Sequence, residues 1–232
     1  MTFHSKRFRN VMKQADPTVE YEIEEAVKKL KTMANAKFNE TVELAIKLDI
    51  DPKQADQQLR GSFTLPHGLG KSKKVIAFCA PEQVPDALGA GAVKAGLEDL
   101  AAEIEKGYMD FDVVVATPDS RKVMGKLGKI LGAKGLMPNP KSGTLGPNIV
   151  QLVKEFSAGK VEYRNDATGN IHAPVGKIQF EQDKLVDNIR AFYMHIFERR
   201  PSSVRGVYMK SAFICTTMSP SLRLKALAKE TK

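Results

Sequence analysis

Two stretches of the chain combine residue types suited to phosphate and sugar. Gly125, Gly128, Gly132 and Gly135 punctuate the segment GKLGKILGAKGLMPNPKSG, which carries Lys126, Lys129, Lys134 and Lys141 and contains Pro138 and Pro140. Glycine lets a backbone approach phosphate oxygens closely and lysine neutralises them, so the segment fits an anion-contacting loop; a helix C-terminus with a turn fits the same residues. The second is a pair: Ala36-Lys37-Phe38-Asn39-Glu40-Thr41 and, far along the chain, Thr216-Thr217-Met218-Ser219-Pro220-Ser221. Small hydroxyl residues beside Phe and Met can hydrogen-bond sugar and phosphate while the apolar side chains cover a ribose or a base. Strand ends and a turn would also account for them.

Other chemistry is poorly supplied. Gly68-Leu69-Gly70-Lys71-Ser72 falls short of a phosphate loop, because the first glycine of that pattern would fall at Leu65 and the segment precedes a strand; a glycine hinge is the better reading. Gly89-Ala90-Gly91 opens a dinucleotide fingerprint whose third glycine would fall at Lys94. His4, His67, His172 and His195 stand apart, with no Cys or acidic neighbour at a metal-ligand spacing. Cys79 and Cys215 lie in apolar, strand-like runs and read as packed thiols of a reducing compartment. No catalytic constellation, cofactor site or metal site is expected, and the chain reads as a non-enzyme.

The elements that position these residues change in kind along the chain. Ile23, Ala26, Val27, Leu30 and Met33 recur at helical spacing, and Glu20, Glu22, Glu24 and Glu25 gather near the end that favours anions. Thr41 to Ile50 alternates, with Val42, Leu44, Ile46, Leu48 and Ile50 on one face, and predicts a half-buried strand; Gly61 to Leu65 predicts another. The continuous apolar runs VIAFCA (75–80) and VVVAT (113–117) then predict strands covered on both faces. Helices are predicted at 97–106, 121–131 and 147–156, the last with Pro147 near its first turn. Strand and helix alternate here as in a parallel sheet. Beyond Lys160, Val161 and Tyr163 and then Ile171 to Val175 predict a hairpin, followed by a helix at 180–197 and a strand at 207–217.

Antiparallel patterning on both sides of parallel patterning predicts an insertion. One α+β domain of residues 1–68 plus 160–232 would be assembled from both chain ends, interrupted by an α/β Rossmann-like three-layer domain of residues 69–159. The two crossings, with Gly68 and Gly70 at one and Gly159 at the other, would form a two-stranded hinge.

Charge sharpens the choice of partner. The net formal charge is +9, with local balances of +1, +2 and +6 over residues 1–68, 69–159 and 160–232. Two runs lack acids: an N-terminal arm with Lys6, Arg7, Arg9 and Lys13, and Arg121 to Lys154 with seven cations. Polyanions are therefore the first partners to consider. With no Trp, five Tyr and eleven Phe, exposed stacking platforms are few, which favours recognition of folded RNA by shape and backbone. No long uncharged apolar run and no secretory signal is evident, so a cytoplasmic protein without membrane contact is expected.

AKFNETVE, RGSFTLPHGLGK ending at Lys71, LGAKGLMPNPKSGT (131–144), EYRNDATGNIHAPVGK (162–177), DNIRAF (187–192) and TTMSPS (216–221) occur in order and in register. Together they make the chain, from about residue 4 to 224, resemble the bacterial-type family of large ribosomal subunit protein one, proteins of the mobile lateral stalk. The resemblance implies a terminal-segment domain that binds large-subunit ribosomal RNA in the stalk region, with an inserted Rossmann-like domain. It also implies assistance in releasing deacylated tRNA from the exit site, repression of the protein's own operon mRNA, and a monomer within the ribosome. Carried over by motif, Lys37, Phe38 and Thr41 form the first part of the RNA site and Ser211, Thr217, Met218 and Ser219 the second, with Lys6, Arg7, Lys134 and Lys141 as secondary basic contacts. Many relatives have glycine where this chain has Ser219. The basic extension 225–232 lies outside the resemblance and is expected to be mobile.

Two competing readings fit part of the same sequence. A nucleotide-using enzyme built on the middle domain would rest on fold analogy, without a complete phosphate loop. An RNA chaperone free of the ribosome would share the charge pattern.

Overall fold

Following the chain, Ser5 caps a first helix, α1 (Lys6–Met12), its hydroxyl accepting the Phe8 N–H at 3.2 Å. The computed structural model describes residues 5–16 and 18–226, so His4 and most of the basic C-terminal extension lie outside the described residues. The N-terminal arm is thus helical from Lys6, with Val11 buried in the core. The path continues through β1 (Glu20–Tyr21), α2 (Ile23–Met33), β2 (Thr41–Leu48) and β3 (Arg60–Phe63). Next come β4 (Val75–Phe78), α3 (Val84–Gly89), β5 (Lys94–Gly96), α4 (Glu98–Glu105), β6 (Val113–Ala116), α5 (Arg121–Lys126), α6 (Gly128–Ala133) and α7 (Ile149–Ser157). The return is β7 (Val161–Arg164), β8 (Asn170–Lys177), α8 (Gln182–Glu198), β9 (Met209–Thr216) and β10 (Leu222–Leu224).

Two compact units result: the described residues up to Gly70 with those from Val161, and Lys71–Lys160. Gly68 and Gly70 belong with the first. Buried Asn188 donates to the Gly68 carbonyl at 3.1 Å, and Gly70, at φ +72°, lies so close to Phe180 that a Cβ would sit 2.5 Å from its ring. Lys160 belongs with the second, its carbonyl accepting from Lys73 and its ammonium pairing with Glu155 at 2.6 Å.

In the first unit, a five-stranded sheet in the order β1-β10-β9-β2-β8 is antiparallel except where β1 meets β10. Val42, Leu44, Ile46 and Leu48 of β2 and Ala212 and Ile214 of β9 are buried, in one core with Leu30 and Met33 of α2 and Leu185, Ile189, Phe192 and Ile196 of α8. The alternation that predicted β2 is therefore the alternation of its burial.

Strands β7 and β8 do not form the predicted hairpin ladder. β7 pairs with β3, from Arg60↔Arg164 to Phe63↔Val161, and β8 pairs with β2. An isolated Asn165↔Ile171 bridge joins the two. The Asp166 carboxylate accepts the Thr168 and Asn170 N–H groups at 2.8 and 2.7 Å and turns the chain tightly. β8 takes the edge of β2 because that edge is eight residues long and puts Ile171, Ala173 and Val175 into the helix-covered core, whereas the four residues of β7 are matched by β3.

The second unit has a parallel sheet in the order β5-β4-β6. All four residues of β4 are buried because they serve two cores. Ile76 and Phe78 cluster with Leu100, Ile104, Met124 and Leu131, while Val75 and Ala77 cluster with Ala87, Val153 and Phe156 on the other side. Helices thus lie on both faces of the sheet.

Two helix expectations need correction here. The helix predicted at 121–131 is two short helices divided at Leu127, where Leu127 and Ile130 donate to carbonyls three residues back, flanked by Gly125 and Gly128. Leu127 is fully buried at that break. Pro147 precedes the last helix of the unit instead of starting it. Asn148 is the N-cap, its side chain accepting the Gln151 N–H at 3.2 Å, because an amide oxygen supplies the acceptor that an N-terminus lacks.

Candidate nucleic-acid interface

The antiparallel register Val42↔Thr216 places the entrance of β2 beside the exit of β9, and so unites the two stretches singled out from the sequence. The pairing continues one residue past the ladder. Thr217 N–H donates to the Thr41 carbonyl at 3.2 Å, and the Thr217 hydroxyl oxygen accepts the Thr41 N–H at 3.1 Å. Thr217 itself is exposed. Lys177 donates to the Thr41 hydroxyl at 2.7 Å.

Around this pairing the chain is ordered by its own polar groups. Glu40, only 1% exposed, accepts the Thr216 hydroxyl at 2.6 Å and the Met218 N–H at 3.0 Å on Oε2, and the Ala36 N–H at 3.3 Å on Oε1. The Ser219 hydroxyl accepts the Thr216 N–H at 3.0 Å and donates to the Pro220 carbonyl at 3.1 Å, so it closes a turn. Among the described residues only glycines have positive φ, so the Ser219 backbone does not require a glycine.

Against this ordered frame, Phe38 and Met218 remain 52% and 43% exposed. They are two of several large apolar side chains left exposed, and these two lie within three residues of the Thr41–Thr217 pairing in sequence. Lys37, immediately before Phe38, is exposed as well. Arg7 of α1 reaches the same edge, donating to the Asn35 side-chain oxygen at 2.8 Å and the Met218 carbonyl at 3.4 Å. Lys6 is exposed on that helix.

Ser211 is brought to the same strand but not to the same end. Opposite Lys47 on β2, it faces away from the helix-covered core. The register extends this outer face past the residues named from motifs. Ala45, Phe213 and Arg223 align across β2, β9 and β10; Glu43 aligns with Cys215 and lies 3.8 Å from His172 of β8. Lys47, Glu43, Phe213 and Arg223 were absent from the sequence-derived site. The i, i+2 spacing of Ser211, Phe213 and Cys215 was the signal available for part of it. Burial pushes the Cys215 thiol up, with Glu43 adding to the effect, and burial alone does the same at Cys79, so neither thiol is activated.

Lys134 and Lys141 lie exposed in the other unit, at the end of α6 and in the Pro140–Ser142 turn. There Asn139 accepts the Lys141 N–H at 2.8 Å and Gly143 closes the turn at φ +67°. Gly159 follows α7 at φ +104°, its N–H on the Phe156 carbonyl at 3.2 Å. Among the described residues, no group of three His, Cys, Asp or Glu side chains could hold a metal ion, and no helix is long and apolar enough to cross a membrane.

Comparison with known proteins decides the family. The description of the ribosomal protein L1p/L10e family matches residues 30–220. The chain belongs to that family. The large ribosomal subunit protein uL1 of Thermus thermophilus is 48% identical over 225 residues, covering 97% of this chain and 98% of its own. Its counterparts in Thermosipho melanesiensis and Fervidobacterium nodosum are 48% and 49% identical, again over 97% of this chain and over 97% and 96% of theirs. Membership makes the chain a ribosomal protein with a structural role, not an enzyme.

Proposed function

We propose that this chain binds large-subunit ribosomal RNA at the mobile lateral stalk through the edge where the β2 entrance meets the β9 exit. The observation that carries the reading is the convergence of two segments, joined at Thr41 and Thr217, around exposed Phe38 and Met218. Thr217 donates its hydroxyl proton to the RNA backbone and Thr41 lies beside it. Phe38 and Met218 exclude water from those bonds. Ser219 holds the turn that presents Met218. Ser211 extends the contact along β9, and Lys37, Lys6 and Arg7 supply salt-sensitive attraction.

The discontinuous domain built from both chain ends is the principal RNA binder on this reading, and the inserted domain adds phosphate contacts through Lys134 and Lys141. Gly68, Gly70 and Gly159 serve as the two-stranded hinge. As a monomer in the cytoplasmic ribosome, the protein assists release of deacylated tRNA from the exit site and represses its own operon mRNA through a similar RNA structure. These last roles rest on family membership.

Sedimentation tests the central claim: the protein should remain with salt-washed large subunits, and a soluble protein under those conditions would favour the free-chaperone reading. A reporter carrying the operon leader tests repression. Overproduction of the protein should lower its translation.

A further inference from the structure

We infer that Glu40 is a positioning residue, whose buried carboxylate clamps the segment before β2 to the segment after β9 and so sets where Phe38 and Met218 stand. The inference rests on the reading of this edge as the RNA-binding surface.

The strand ladder does not by itself reach Met218. Paired strand residues end at Val42↔Thr216, and the Thr41 and Thr217 bonds extend them by one position. Beyond that point the Met218 peptide is held on one side by Glu40, which takes its N–H at 3.0 Å, and on the other by Arg7, which approaches its carbonyl at 3.4 Å. The second carboxylate oxygen takes the Ala36 N–H at 3.3 Å, at the start of the segment that carries Lys37 and Phe38. One side chain therefore holds main-chain donors from two segments far apart in sequence, Ala36 and Met218.

Glu40 is anchored independently of them, since its own carbonyl accepts the Ile178 N–H at 2.9 Å. A carboxylate taken out of water is costly unless its lone pairs are met. Here they are met by the two segments to be aligned, so the cost of burial opposes their separation. The group touches neither solvent nor, on this reading, RNA; it acts through what it holds.

Reach and charge separate cleanly in the variants. Glu40→Gln keeps the length and one acceptor oxygen, which can retain the Met218 N–H, and turns an amide NH2 toward Ala36, the weakest of the three bonds. Glu40→Asp keeps the charge but draws back by one methylene. Glu40→Ala leaves the Met218 and Ala36 amides without their acceptor.

The test is binding of the full chain to a large-subunit ribosomal RNA transcript, well below each variant's melting temperature, with amide exchange at Met218 measured alongside. Glu40→Ala should weaken binding by about tenfold to a hundredfold, and Glu40→Gln should recover most of it. Met218 exchange should accelerate in the Ala variant and stay protected in the Gln variant. The slope of log affinity against log salt should not change, because no phosphate-neutralising cation is removed, whereas Lys37→Ala should flatten it by about 0.7 to 0.9.

If Glu40→Ala fails to fold, the other pair decides: Asp binding more weakly than Gln supports the clamp, and equal or reversed order overturns it. Wild-type affinity in Glu40→Ala, with binding weakened in Thr217→Ala or Met218→Ala, overturns the clamp while leaving the interface standing. Wild-type affinity in all three removes the interface and the inference with it.

Discussion

Thr217 accepts a hydrogen bond from Thr41 with the same hydroxyl that, on the proposed reading, donates to RNA, and so on that reading its loss is felt on both sides of the interface. Thr217→Ala should weaken RNA binding by about 1 to 3 kcal/mol, because the Thr41 amide loses its acceptor as the RNA loses a donor. Met218→Ala should cost a comparable amount by uncovering those bonds. Filter binding with both variants measures this, and unchanged binding in both would move the site elsewhere. A second residue-scale effect is independent of RNA. His195 lies against Phe63, with Nε2 3.0 Å from the Tyr163 hydroxyl. Burial, and secondarily Arg199, holds its pKa below the usual value. The unfolded chain then binds the proton more readily than the folded one between the lowered pKa and about 6.5, so stability rises with pH across that window and falls on acidification. Urea titrations from pH 5 to 7.5 should show this rise, and His195→Gln should flatten it. The residue types at the interface were readable from sequence, but Glu40 was not: one glutamate in a motif carries no sign of burial, and its role depends on a partner segment 176 positions away.

At the scale of elements, periodicity identified those whose environment is uniform along their length. α2 and β2 repeat apolar residues at 3.6 and 2 because a single core covers one side of each. It did less well where neighbours choose between options. The β7 to β8 connection has the composition of a hairpin, but pairing partners are set by which edge is long and free, a property of β2 and β3 that the connecting sequence does not contain. β1 and β10, two and three residues long, are too short to show a period at all. Gly70 has a similarly external reason for being glycine. Its φ of +72° disfavours any L side chain, and a Cβ would meet the Phe180 ring at 2.5 Å. Gly70→Ala should therefore lower stability by about 1 to 3 kcal/mol, seen as a lower melting temperature. Phe180→Leu in the same chain should recover only the part that comes from the clash.

For the molecule as a whole, charge and topology act together. Dividing the chain at its changes of pattern gives +7 to the portion built from the two ends and +2 to the insertion, and the candidate interface lies on that more basic portion. If about five phosphates are neutralised, log affinity against log salt should slope at roughly −3.5 to −4.5, and a flat response would sink the electrostatic part of the reading. The sequence by itself determined the class of element at most positions, the insertion of a parallel unit into an antiparallel one, the basic character and, through motifs in register, the family. Those properties are local or additive, so a linear string carries them. Only the tertiary structure decided that Thr217 completes the Thr41 pairing, that Glu40 holds both segments, that the Ser219 hydroxyl is spent within its turn, and that Phe213 and Arg223 share the outer face with Ser211. Each depends on the register between strands distant in sequence, and register is fixed by the packing of all five strands on one helical layer.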